Sequence, residues 1–201
     1  MPRFLGRFLQ NHRATLTALA LGIAHAFTFA PWGSDWLELL VLTGFAGLLL
    51  SAIGQHAQRH GHAHRHPPPG PFRLGLLFGI GWFTAGIGWV YVSMHHYGGV
   101  AVPLAALATL LFATYLALYP ALGAWLCSRL CRRQLDATRH LSAWRFILTF
   151  GGAMTLAELA RGWVLTGFPW LSIGYAHVEG ALAGLAPIGG VYLITLGAAL
   201  T

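Results

Sequence analysis

The placement of arginine constrains this chain more than any other feature. Eleven of its twelve basic residues, all twelve being arginine, fall in three clusters: Arg3, Arg7 and Arg13; Arg59, Arg65 and Arg73; and Arg129, Arg132, Arg133, Arg139 and Arg145. Between the clusters run long segments that are apolar all round. A soluble helix needs a polar face, whereas a helix in lipid needs none and satisfies its backbone internally. With 56% hydrophobic and 8% charged residues, the 201-residue chain carries too little charge for a soluble domain. The sequence therefore predicts an all-α integral membrane protein, a bundle of about five complete transmembrane helices plus a truncated sixth.

The positive-inside rule puts the three clusters in the cytoplasm. The first, third and fifth spans then run outward, the second and fourth return, and the N-terminus is cytoplasmic. A net charge of +7 raises the question of nucleic acid. Short clusters flanking membrane spans answer it as topology signals, and no nucleic-acid partner is expected.

In chain order, Pro2 to Arg13 is basic, with Phe4, Leu5, Phe8 and Leu9 on one helical face, and is expected to lie on the inner membrane surface. Residues 14–30 form the first span; Ala24, His25 and Ala26 imitate a signal-peptidase pattern, but the downstream charge alternation works only if the span is retained. The turn PWGSD leads into the second span, 36–53. Residues 55–71, QHAQRHGHAHRHPPPGP, carry His56, His60, His62, His64 and His66. Imidazoles bind metals, yet a run broken by three prolines, with no carboxylate or cysteine to complete a site, reads as a solvated cytoplasmic loop, and no metal is expected.

The third span, 72–93, is rich in glycine at 75, 79, 81, 86 and 88, which lets neighbouring helices approach closely and predicts a central position. His95 and His96 at its outer end read as interfacial anchors. The fourth span, 103–126, contains Pro120, which predicts a kink. Cys127 and Cys131 then lie one helical turn apart beside arginines, and read as small reduced residues. The fifth span covers 146–165, and a partial span begins near residue 187.

Glu158 and Arg161 are three residues apart, hence on one helical face, near the outer end of the fifth span. An isolated charge at that depth costs several kcal/mol. Two readings stay open: an ion pair that fastens helix to loop, or a guanidinium fork offered to a lipid phosphate. After them come Thr166, Gly167, Phe168, Pro169 and Trp170, where Pro169 stops helix and the aromatics suit the headgroup layer.

The stretch ELARGWVLTGFPWLSIGYAHVEGALAGLAPIGGV, with WVYVS at Trp89 to Ser93 and FAPW at Phe29 to Trp32, resembles the N-terminal membrane half of the apolipoprotein N-acyltransferases. The resemblance covers nearly the whole chain except the histidine-rich loop. It implies a multi-pass protein of the bacterial inner membrane, with a phospholipid as acyl donor, a diacylglyceryl apolipoprotein as acceptor, and no cofactor. Such enzymes form a thioester on a cysteine, and their Glu-Lys-Cys triad belongs to a nitrilase-like domain that follows the membrane helices. This chain has no lysine, and its cysteines belong to the cytoplasmic side. The resemblance therefore implies no catalytic residue in this chain, an inactive fragment when alone, and a substrate-binding role for Glu158, Arg161, Thr166, Gly167, Phe168, Pro169 and Trp170. A non-enzymatic transporter or metal-responsive protein using the histidine loop is the alternative.

Overall fold

A computed structural model describes residues 2–57, 69–138 and 140–201, with side chains from residue 12 onward. The face formed by Phe4, Leu5, Phe8 and Leu9, and most of the histidine-rich loop, lie outside the described side chains. All regular structure among the described residues is helical: α1 (Pro2–Ala26), α2 (Asp35–Ala57), α3 (Pro71–Gly86), α4 (Gly88–Val92), α5 (Val102–Thr138), α6 (Ala143–Trp163) and α7 (Ala186–Leu200). A π-turn, Ser93–Tyr97, follows α4, and three short 3-10 turns lie between α6 and α7.

Among the described residues, three helical stretches are long and apolar enough to cross a membrane: Asp35–Ala57, Val102–Thr138 and Ala181–Leu200. The pair Pro71–Gly86 and Gly88–Tyr97 adds a fourth if it is one bent span. The third span was expected to be continuous over 72–93, but it bends by 50° at this break. Gly86 and Gly88 supply little helix propensity there, and a Cβ on Gly86 would collide with the Leu171 side chain that packs against it. Residues 2–26 form a single helix, so the basic segment and the start of the first span are continuous. α5 runs unbroken through Pro120 for 37 residues, or about 55 Å, well beyond the apolar stretch ending at residue 126.

Helix α3 is central, packed between α1 and α5. Its glycines make both seams. A Cβ on Gly79 would lie 2.7 Å from Ala117 Cα and from Pro120 Cγ, and one on Gly75 would lie 2.6 Å from the Pro120 carbonyl oxygen. On the other side, Gly81 abuts the backbone of α1 at Leu19 and Ile23. Without side chains in the way, backbones approach closely, which is how helices gain packing energy where lipid is as apolar as leucine.

The remaining core is aromatic. Phe45 of α2 stacks on Phe78 of α3 at 4.2 Å between centroids. His25 of α1 meets the Trp82 ring edge-on at 4.1 Å. His25 and Glu38 are both fully buried, with Nδ1 and Oε2 3.3 Å apart, so two polar side chains meet where α1 packs on α2. Ser34 starts α2 as an N-cap, its hydroxyl accepting the Leu37 amide proton at 3.2 Å. Asp35 and Glu38 follow in the first turn, where the helix dipole favours carboxylates.

Candidate functional site: a buried clasp and an aromatic cleft

The last turn of α6 presents Glu158 and Arg161 to the irregular chain that follows. Arg161 is 1% exposed and Glu158 5%, and Arg161 Nη2 donates to Glu158 Oε1 at 3.0 Å. The same nitrogen donates to the Ser172 hydroxyl at 3.0 Å, while Nη1 donates to the carbonyls of Phe168 (2.5 Å) and Trp170 (2.7 Å). The guanidinium also lies over Phe83 and Trp82 of α3, at 5.3 and 5.8 Å from the ring centroids. It therefore serves at once as ion partner, cation–π donor and hub for the 168–172 backbone.

The carboxylate is used as fully. Glu158 Oε1 and Oε2 accept from the Ile173 amide at 3.0 and 3.2 Å, and Oε2 accepts from the Thr195 hydroxyl at 2.8 Å. Thr195 Oγ1 in turn accepts from the Gly174 amide at 3.0 Å. The clasp thus joins α6, the following loop and α7. Ser172, Ile173 and Thr195 complete it, and no local pattern in the sequence marks them as its partners.

The backbone between clasp and loop is contorted. Leu165 (φ 52°) and Thr166 (φ 73°) take left-handed conformations with full side chains, and Gly167 follows at φ 78°. Left-handed geometry costs a non-glycine residue about 1–2 kcal/mol. A Cβ on Gly167 would also run into the Gly162 carbonyl, so this position requires glycine twice over. The turn closes through the Phe168 amide, which donates to the Arg161 carbonyl at 2.9 Å.

The seven predicted site residues thus do not come together in one place. Glu158 and Arg161 are buried in the clasp. Thr166 is exposed, its hydroxyl donating to the neighbouring Leu165 carbonyl at 2.5 Å, and Phe168 turns toward α5, its ring 5.0 Å from that of Phe112. Gly167 shapes the turn, while Pro169 and Trp170 reach the rim of a cleft of about 520 Å³. The cleft is also walled by Phe27, Phe29 and Trp32, just beyond α1, and by Trp89 of α4, whose ring lies 5.9 Å from Trp170. Among the described residues, no charged side chain lines it.

His177 lies behind this loop, 2% exposed. Desolvation lowers its pKa below the usual histidine value, opposed by the nearby carboxylates of Glu38 and Asp35 and reinforced by His25. Among the described residues, no three histidine, cysteine or acidic side chains are grouped as a metal site. Cys127 and Cys131 are free and fully buried in α5, away from the cleft lining.

The sequence comparisons bear on this arrangement directly. A family model described as the apolipoprotein N-acyltransferase N-terminal domain matches residues 21–201, which include the clasp and every wall of the cleft. The chain belongs to the apolipoprotein N-acyltransferase family. It is 45% identical over 179 residues to the apolipoprotein N-acyltransferase of Ralstonia nicotianae, covering 89% of this chain and 31% of the relative. It is 36% identical over 193 residues to that of Chromobacterium violaceum (94% and 33%) and 40% identical over 191 residues to that of Pseudomonas aeruginosa (92% and 33%). The chain spans about a third of the length of these curated relatives.

Proposed function

We propose that residues 1–201 are the membrane part of an apolipoprotein N-acyltransferase, which moves an acyl chain from a phospholipid to the N-terminal diacylglyceryl-cysteine of bacterial lipoproteins. The observation that carries this reading is the uncharged aromatic cleft, whose rim is held in place by the Glu158–Arg161 clasp in a chain of this family. A cavity of about 520 Å³ falls within the range that takes one small ligand or part of a lipid. Trp170 and Pro169 contact an acyl chain there; Phe168, Gly167 and Thr166 shape the approach; Glu158 and Arg161 position the rim.

In the proposed topology α1, α2, the bent α3–α4 pair, α5 and α6 are five spans of the bacterial inner membrane, and α7 begins a sixth. The arginine clusters then face the cytoplasm. The ends of α1, α4 and α6, which border the cleft, face the opposite side, where lipoproteins meet phospholipid headgroups. The groups that perform the acyl transfer lie outside residues 1–201, since neither buried cysteine reaches the cleft and no lysine is present.

The test has two arms. The 201-residue chain, given phosphatidylethanolamine and a diacylglyceryl peptide, forms no acylated product; in the complete enzyme Trp170→Ala raises KM for the phospholipid about tenfold with kcat within about twofold, the effect of losing roughly 1.4 kcal/mol of apolar contact. Product from the 201-residue chain, or an unchanged KM, would overturn the proposal.

A further inference from the structure

A second opening, about 450 Å³, runs between α5 and α6 and shares no residue with the aromatic cleft. Tyr115, Tyr119, Leu122 and Trp125 of α5 and Ala157 and Ala160 of α6 wall it. The two tyrosine hydroxyls satisfy each other at 2.6 Å, so the groove offers an apolar surface along its length. From Tyr115 to Trp125 is ten residues of helix, about 15 Å, or half of a roughly 30 Å hydrocarbon core. The groove has the depth of one leaflet.

Its two ends differ in charge. Beyond Trp125, Arg129 continues the same helical row, its guanidinium 5.4 Å from the Trp125 ring. Arg132 and Arg133 follow on α5, and Arg145 stands near the start of the facing α6. Among the described residues none of these four has a carboxylate at ion-pair distance, and Arg132 Nε is buried without a hydrogen-bond partner. At the other end, beside Val164, Arg161 is buried and already holds four acceptors. Only the end with the unpaired arginines can receive an anion.

We propose that this groove binds one anionic phospholipid from the leaflet on the arginine side, its phosphate at Arg129 and Arg132 and an acyl chain lying along Leu122 toward the tyrosine pair. The proposal is independent of the acyl-transfer reading, because the groove shares no lining residue with the cleft and its basic end lies beyond Trp125, away from Val164. Basic residues beside interhelical grooves are a recurrent means of holding acidic headgroups, each contributing about 1 kcal/mol.

The test is native mass spectrometry of the delipidated chain in detergent, after adding phosphatidylglycerol or phosphatidylethanolamine. One phosphatidylglycerol is retained in preference to phosphatidylethanolamine. Its affinity falls about thirtyfold in Arg129→Gln/Arg132→Gln, equivalent to about 2 kcal/mol. It falls about tenfold or more in Ala157→Phe, which fills the groove, and stays unchanged in Arg73→Gln, which removes an exposed arginine elsewhere. If Ala157→Phe does not fold, Leu122→Trp, at an exposed position, closes the groove instead. Equal retention of the two lipids overturns the proposal. So does loss in the charge variant with no loss on filling the groove, which would mean that the arginines attract acidic lipid without a seat for it.

Discussion

Replacing Arg161 by methionine tests the clasp, because methionine keeps much of the apolar stem and removes every donor. Glu158 would keep the Ile173 amide and the Thr195 hydroxyl but lose its counter-charge in a site where it is 5% exposed. Removing one member of a buried ion pair costs about 3–5 kcal/mol. The Phe168 and Trp170 carbonyls also lose their side-chain donor, at about 1 kcal/mol or more each unless the rim opens to water. At roughly 2–4 °C per kcal/mol for a chain of this size, the unfolding midpoint falls by about 10 °C or more. Thermal unfolding in detergent, followed by tryptophan fluorescence, reads this directly, since Trp170 and Trp89 sit at the rim. Adding Glu158→Gln to Arg161→Met removes the stranded charge, so the double variant is less destabilised than the sum of the singles by about 2–3 kcal/mol. A midpoint within about 2 °C of the parent, with KM for phospholipid raised in the complete enzyme, would refute the clasp and mean that the guanidinium meets a lipid phosphate.

Further outcomes follow from the packing and from His177. The His177 pKa is depressed in the folded protein, so the neutral ring is favoured there; its contribution to stability is present above the unfolded value of about 6.5 and is lost as pH falls through that value toward the lower folded pKa. The unfolding midpoint therefore drops as pH falls below about 6.5, and His177→Asn flattens the drop. Gly79→Ala, which drives a Cβ into Ala117 and Pro120, costs about 1–3 kcal/mol in the same thermal assay. Gly47→Ala, in an exposed helical position with nothing within 4 Å, is neutral or stabilising by up to about 1 kcal/mol.

The features legible in the sequence were those with a local cause. The i, i+3 spacing put Glu158 and Arg161 on one helical face, with their ion pair as one of two open readings, and the glycines of α3 announced a helix approached closely by its neighbours. The rest depended on distant residues. Thr195 completes the carboxylate from 37 positions away, and nothing in its neighbourhood marks it among the other buried threonines. Gly86 and Gly88 look like Gly75 and Gly79 in the sequence, yet the first two accompany a bend and the others line a seam, because only the packing of Leu171 and α5 distinguishes them. Leu165 and Thr166 gave no hint of left-handed backbone, since neither residue favours it. The pairing of His25 with Glu38 was missed for the same reason as Thr195: two polar residues on different helices become partners only when the helices pack.

The clasp and the cleft together limit what this part of the molecule can select. Every donor that Arg161 directs toward the loop is engaged, and among the described residues no charged side chain lines the cleft. On the proposed reading, a phospholipid held there would be recognised through apolar contact with Phe27, Phe29, Trp32, Trp89 and Trp170, which discriminates length and shape at about 0.8 kcal/mol per buried methylene, close to fourfold in affinity. Headgroup charge has nothing to act on among these residues. In the complete enzyme, Trp89→Ala and Trp170→Ala are therefore expected to flatten the dependence of KM on donor acyl length while leaving the ratio between phosphatidylethanolamine and phosphatidylglycerol within about twofold of the parent. The comparison is made over donors from about 12 to 18 carbons at fixed headgroup, then over headgroups at fixed length, where each added methylene has the contact energy given above. A changed headgroup ratio with an unchanged length profile would place the acyl chain elsewhere and make this cleft a headgroup site, a role its uncharged lining gives no means to perform.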